Sequence, residues 1–366
     1  MENGLITWVL PGETLEADEV FDASGLFVSP GFIDLHTHGG DGCDYMDGTV
    51  EAFVKASAFH MRHGTTALLP TLTTASDEEL FRAMDCFRAA KEAGKNGPAM
   101  PGLHLEGPYF AAAQAGAQDP RYLQAPEKAH YEKILARSSD IARVSAAVEL
   151  PGAFALGDAL KERGILAAIG HSDAAYADVL ESLQHGYTHV THFYSGMSML
   201  RRNGPYRELG VVESAYLLDE LSVEIIADGC HLPPELLRLI VKLKGVERIS
   251  LITDSMRGAG LPDGTSVKIG SLTNGVDAVI ENGVAVLPDR TSFAGSVCTA
   301  DRCVRTMVRQ AGVPLTDAVR MMTANPAAVI SAKSKGRLAA GMDADICVFD
   351  QNINVCAVFV GGVRRV

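Results

Sequence analysis

The sequence predicts an α/β fold: a (β/α)8 TIM-type barrel with a small β-sandwich module formed from both chain termini. Three observations carry that expectation. Eight short, apolar, β-branched runs between residues 32 and 254 each end on a polar or ionisable residue, the pattern of strands buried on both faces of a parallel sheet. The segments between them are in most cases long enough for a helix. The polar residues collect at the carboxyl ends of the runs, where a (β/α)8 barrel keeps its chemistry. A doubly wound open sheet would concentrate ligands at one switch point and leave most strand ends unused.

In chain order, Asn3–Val9, Glu19–Asp22 and Leu26–Val28 read as short strands before Pro30-Gly31. Together with residues 337–366, residues 1–29 form the expected sandwich, and residues 30–336 the barrel. The barrel runs are Phe32–His36, Thr66–Thr71, Gly102–Glu106, Arg143–Glu149, Leu166–His171, Thr188–His192, Val223–Asp228 and Ile249–Asp254. Helical spacing marks Gly48–His63 and Ser76–Gly94, the second opened by Ser76 as N-cap with Glu79 placed for a capping box. Pro233–Lys244, with a proline near its first turn, and Ala300–Ala311 read the same way. Val267–Val286, with turn signals at Asn274-Gly275 and Asn282-Gly283, predicts a hairpin inserted late in the barrel. Asp345–Phe349, Ala357–Val360 and Gly361–Arg365 alternate as strands bounded by Gly and Asp.

Composition narrows the class. The 366 residues suit one large domain with a small accessory module, or two ordinary domains. Lys and Arg total 32 against 45 Asp and Glu, a net charge of −13, and such a surface repels phosphate backbones, so nucleic acid is not an expected partner. No apolar run approaches the roughly 18–20 residues that cross a bilayer, so no membrane partner is expected either. Met1-Glu2-Asn3-Gly4 has no basic region of a secretory signal. Seven cysteines without a CxxC pair fit reduced thiols and a cytoplasmic location.

The run ends carry the candidate chemistry. In His36-Thr37-His38, alternate residues of one strand point the same way, so both imidazoles face the barrel mouth and form a site for a divalent ion. Glu106, before Gly107-Pro108, suits a metal ligand or a base, with a helix N-cap as its plain structural alternative. His171 and His192 end the fifth and sixth strands at the same level. His104 and His189 lie within strands and read as structural, while His60, His63, His130 and His185 read as solvated. Asp254 ends the eighth strand, placed to take a proton from a metal-activated water and pass it to a leaving group; orienting a ligating histidine is its alternative role. His231, just past the seventh strand, is within reach of a substrate oxygen. A divalent metal with a carboxylate beside its water points to hydrolysis of an unreactive acyl bond. Glycoside hydrolysis wants two carboxylates and leaves the histidines unexplained. A metal-loaded binding protein has no need of Asp254.

The motifs Pro30–His38, His104–Pro108, Gly170–Asp173, Thr191–Met197, Asp228–His231, Thr253-Asp254 and Ala294-Gly295-Ser296 occur in that order. They resemble those of the N-acetylglucosamine-6-phosphate deacetylases of the amidohydrolase superfamily, over nearly the whole chain. The resemblance implies a barrel with a terminal β-sandwich, a homodimer, and deacetylation of an amino-sugar phosphate. It assigns Glu106, His171 and His192 to the main metal, Asp254 to catalysis as general base and acid, and His231 to the substrate. His36 and His38 match the pair that lets some members hold a second ion, so one or two divalent ions are implied: zinc first, with iron, manganese and cobalt suited to the same donors. Ser195, Gly196, Ala294 and Gly295 fall at substrate-contact positions.

The chain departs from the family at three places. Gln118, in Gly116-Ala117-Gln118, stands where the family usually has a histidine for the sugar phosphate, and a neutral amide stabilises phosphate less than a cation does. Ser195-Gly196 replaces the usual Asn-Ala. Arg201, Arg202 and Arg207 are the cations near the usual arginine, with Arg202 and Arg207 taken as candidate phosphate contacts. These departures leave room for a related amidohydrolase that deacylates another N-acyl sugar or N-acyl compound. The amino terminus is also short for the family, which predicts an exposed sandwich edge.

Overall fold

The computed structural model describes residues 1–9, 12 and 16–366. Eight strands pair in parallel in the order of the chain: Phe32–Thr37, Thr65–Thr73, Leu103–Glu106, Ile141–Ala146, Leu166–Ile169, Tyr187–Val190, Ser222–Ile226 and Ile249–Ile252. The sheet closes between the first and the eighth. His38 N donates to Ser255 O at 2.7 Å and Asp254 N to His36 O at 2.9 Å. Asp34, fully buried in the first strand, locks this seam by accepting from Thr253 Oγ1 (2.5 Å) and Thr253 N (3.2 Å). Alternation on the first strand explains its two faces. Ile33 and Leu35 pack outward with Leu69, Ile252 and Ala327, and the intervening Asp34 and His36 turn into the barrel.

The expected helices are present as Val50–Met61, Asp77–Ala93, Pro234–Lys244 and Ala300–Arg309. Half of the expected capping box forms: Ser76 accepts from Glu79 N, but the Glu79 carboxylate accepts from Ser271 Oγ (2.6 Å) and Asn274 Nδ2 (2.9 Å). Those partners belong to the insertion, which is larger than the predicted hairpin. Ser266–Ile269, Val276–Glu281, Val284–Val286 and Phe293–Ser296 form a four-stranded antiparallel sheet. Arg257 fastens it from below, pairing with Asp47 at 2.9 Å and donating to Gly270 O.

Several barrel strands end earlier than predicted. The fifth stops at Ile169, the sixth at Val190 and the eighth at Ile252, because His171, His192 and Asp254 adopt left-handed backbone angles, with φ of 45°, 25° and 47°. That conformation is costly for residues with a Cβ and recurs at functional sites. In the terminal module, Phe27–Pro30 pairs antiparallel with Ile346–Phe349, followed by Val355–Val360 and Val363–Arg364. The predicted strands at Asn3–Val9 and Glu19–Asp22 are not formed. Asn3 and Gly4 take φ of 51° and 79° and fold the chain back, leaving isolated bridges from Leu5 to Glu2 and to Asp343.

Candidate active site

Six side chains from five strand ends meet on the floor of a cavity of about 270 Å³ at the barrel mouth. Two donor sets of three lie there: Glu106, His171 and His192, and His36, His38 and Asp254. Glu106 joins them. Its Oε1 lies 3.0 Å from His192 Nε2, 3.3 Å from His171 Nε2 and 3.4 Å from His36 Nε2, and its Oε2 lies 3.3 Å from His38 Nε2. Asp254 Oδ1 sits 3.2 Å from His38 Nε2 and 3.4 Å from His36 Nε2. All six residues are buried.

The protons decide what such a cluster can hold. His171 Nδ1 donates to Gln114 O at 2.7 Å and His192 Nδ1 to Ser195 O at 3.1 Å. A neutral imidazole has one N–H, so with Nδ1 protonated both Nε2 atoms present lone pairs. These face each other at 3.1 Å and both face a carboxylate oxygen. Three acceptors converging in a buried pocket repel unless a cation lies between them, and two imidazoles with a carboxylate are the ordinary donors for zinc and its neighbours. The residues therefore fit a divalent metal. In the second set, the carboxylates of Glu106 and Asp254 favour positive charge at His36 against the cost of its burial, a charge that a divalent ion would supply in place of the proton. Burial likewise opposes ionisation of Asp254, yet His36 and His38 bring its pKa below the usual carboxylate value, so it stands ionised, as a base must.

The other expected site residues divide. His231 lines the cavity, its Nδ1 donating to Asp228 Oδ2 at 2.8 Å and its ring 4.5 Å from that of Phe293. Ser195, Gly196 and Gly295 also line it. Gly196 fits closely: its φ is 57°, and a Cβ there would lie 2.8 Å from His171 Nδ1. Ala294 is buried behind the wall. Gln118 lines the cavity, but its amide is engaged within the floor. Nε2 donates to Glu106 Oε2 at 2.8 Å, while Oε1 accepts from Thr73 Oγ1 and Thr74 N at 2.9 and 3.1 Å. Arg202 and Arg207 lie on an exposed antiparallel hairpin, Arg201–Asn203 with Tyr206–Glu208, outside the cavity of their own chain. Arg201 is paired with Asp173 and Glu208 at 2.8 and 2.6 Å.

His104 and His189 are buried within the barrel, as their strand positions implied. His60 is a correction: it is not solvated but fully buried behind the first strand. Its Nε2 donates to Gly39 O at 2.9 Å, and burial lowers its pKa to about 4. Helical context alone does not tell an inward from an outward histidine. His130 is also half-buried and bonded, to Tyr109 OH and to Asp77. Sequence reasoning missed Asp34, Asp228, Arg143 and Glu224. Two signals mark three of them: Asp34 lies two residues before His36 on the same strand face, and Arg143 and Glu224 are single charges inside apolar strand runs.

Residues 27–365 match the model described as the amidohydrolase family. The chain is 32% identical to an N-acetylglucosamine-6-phosphate deacetylase of Lysinibacillus sphaericus, over 100% of this chain and 92% of that one. It is 31% identical to an N-acetylgalactosamine-6-phosphate deacetylase of Escherichia coli O157:H7, over 92% and 86%. Its fold matches that of a point mutant of the Mycobacterium smegmatis N-acetyl-D-glucosamine-6-phosphate deacetylase in complex with N-acetyl-D-glucosamine-6-phosphate. The TM-score is 0.85 at 32% identity, covering 93% of this chain and 87% of that one.

Proposed function

Because the chain belongs to the amidohydrolase family, alongside its N-acetylglucosamine-6-phosphate deacetylases, we propose that it hydrolyses the N-acetyl amide of N-acetylglucosamine-6-phosphate to glucosamine-6-phosphate and acetate. The observation that carries this reading is an ionised, buried Asp254 set against two metal-donor groups on one cavity floor, in a chain that matches deacetylases over its full length. Glu106, His171 and His192 hold one divalent metal, and His36 and His38, with Asp254, hold a second. Zinc is the proposed ion; iron, manganese and cobalt favour the same donors. Such a metal, when bound, polarises the acyl oxygen and acidifies a water.

The chain's own groups do the rest. Asp254 accepts the water's proton and delivers it to the amide nitrogen as the C–N bond breaks, base first and acid second. Asp228 fixes the proton of His231 on Nδ1, leaving the ring's other edge for the substrate. Ser195, Gly196, Ala294 and Gly295 shape the acyl and sugar subsites, and Gln118 holds Glu106 in place beside them. Arg202 and Arg207 supply cations for the phosphate, in a homodimer located in the cytoplasm. Barrel residues 30–336 carry the chemistry, with a module from residues 1–29 and 337–366 beside them.

A second reading has a specific observation behind it: the 4-epimer, N-acetylgalactosamine-6-phosphate, is the substrate in the name of a relative that is 31% identical. Measuring kcat/KM for both phosphosugars and both unphosphorylated sugars tests these readings. The expected result is a preference of at least about 100-fold for N-acetylglucosamine-6-phosphate over N-acetylglucosamine. Equal rates on the free sugar overturn the phosphate assignment, and preference for the epimer transfers the assignment to it. No turnover of any of the four by the metal-loaded protein overturns the deacetylase reading.

A further inference from the structure

Beneath the donor cluster the barrel interior holds a second layer that is polar and fully buried. Arg143, on the fourth strand, grips Glu224, on the seventh, through both guanidinium ends: Nη2 donates to Glu224 Oε2 at 2.8 Å and Nη1 to Oε1. The same guanidinium donates to Thr191 Oγ1 at 2.8 Å and to Leu35 O at 3.3 Å, the residues just before His192 and His36. Glu224 turns its outer edge to two imidazoles, with Oε1 3.2 Å from His189 Nε2 and Oε2 3.6 Å from His36 Nδ1. Arg143, Glu224, His189 and His36 are all inaccessible to solvent.

An ion pair in that position is expensive. Apolar residues of similar volume often replace a buried pair with no loss, or a gain, of stability, so its place under the cluster calls for a reason beyond stability. The reason lies in how each imidazole is oriented. His171 and His192 fix their Nδ1 protons on backbone carbonyls. His36 has no such carbonyl: its Nδ1 is buried without a hydrogen-bond partner, and among the described residues Glu224 Oε2, 3.6 Å away, is the carboxylate oxygen that faces it. A carboxylate behind a histidine fixes its tautomer and makes the opposite nitrogen a stronger donor.

We infer that Glu224, oriented by Arg143, is the positioning residue that holds His36 with Nδ1 protonated and Nε2 bare toward the cluster, so that this pair decides whether the His36–His38–Asp254 set binds its ion. This rests on the metal-dependent reading above. The Glu106–His171–His192 set does not depend on Glu224, because its own histidines are anchored on Gln114 and Ser195. Loss of the pair therefore empties one set and spares the other.

The test is a cobalt(II) titration of the metal-stripped protein, followed by visible absorption and by metal content per chain. The proteins compared are the wild type, Glu224→Gln, the double variant Arg143→Met/Glu224→Met and, as a marker for the second set, His38→Ala. The double variant removes both charges together and so leaves no orphaned ion in the barrel. Two ions are expected to bind the wild type. In both Glu224 variants the first ion is expected to bind unchanged and the second about 10–100-fold more weakly, with loss of the same absorption bands that His38→Ala loses. Two ions bound with wild-type affinity in either folded Glu224 variant overturn this inference alone. A single ion in the wild type overturns both the two-set reading and the inference built on it.

Discussion

On the cavity floor, six donors from five strand ends lie at most 7% exposed, and hydrogen bonds with Gln114, Ser195 and Gln118 hold His171, His192 and Glu106. On the rim, Arg202 and Arg207 stand exposed on a short hairpin, and Phe293 reaches in, 40% exposed, from the inserted sheet. The floor is a consequence of closing the barrel: Asp34 on Thr253 and Asp254 N on His36 O make the seam and the site together. The rim belongs to segments that interrupt the barrel. The metal donors are thus bound to the fold, while the rim is built from parts that can change without disturbing it.

Variants on the two sides should behave differently. The largest effect is expected on the floor. Asp254→Asn keeps the shape and the donors of the Glu106–His171–His192 set but removes the proton acceptor, so kcat should fall about 10³–10⁴-fold with the ion of that set retained. Steady-state kinetics beside metal analysis checks this, and unchanged turnover removes Asp254 from the proton path. The next effect concerns stability. His60 has a folded pKa of about 4 against about 6.5 unfolded, so the unfolded chain binds the proton first. His60 thus contributes stability that is complete above about pH 6.5 and lost as the pH falls toward 4, about 3 kcal/mol in all. Asp34 and Asp44, with pKa values raised by burial to about 6, act in the opposite sense over that range. Denaturant melts of wild type and His60→Gln between pH 4 and 7 isolate the His60 contribution as a difference, and parallel curves would show that His60 does not titrate on unfolding.

Gln118→Leu tests the support of Glu106. It strips the amide donor from Glu106 Oε2, and metal affinity measured by chelator competition is expected to drop about tenfold. The smallest effect belongs to the rim. Arg202→Ala and Arg207→Ala should leave melting temperature and metal content unchanged, and the one that contacts phosphate should raise KM about tenfold with kcat nearly constant. A fall in kcat without a change in KM would place that arginine with the floor and erase the distinction.

The two regions were also unequally legible. The floor donors were readable because barrel chemistry falls at strand ends and because each ends an apolar run, as Glu106 does in Leu103-His104-Leu105-Glu106. What holds them was harder to read. Arg143 and Glu224 are some eighty residues apart and meet only through the barrel's curvature, and the Gln118–Glu106 bond depends on a loop returning over the mouth. His60 went unrecognised because a helix exposes or buries a histidine according to what it packs on. The inserted sheet extends past the predicted hairpin because Ala294-Gly295-Ser296, read as a motif, is also part of a strand, Phe293–Ser296.

The left-handed turn at His171, His192 and Asp254 has a further consequence. Each holds a backbone shape that glycine would adopt freely and that costs a residue with a Cβ about 1 kcal/mol or more. Replacement by glycine at any of the three would relax the main chain while abolishing the donor. Backbone ease and chemistry therefore pull in opposite directions at these three positions: the sturdier barrel is the one without its donors.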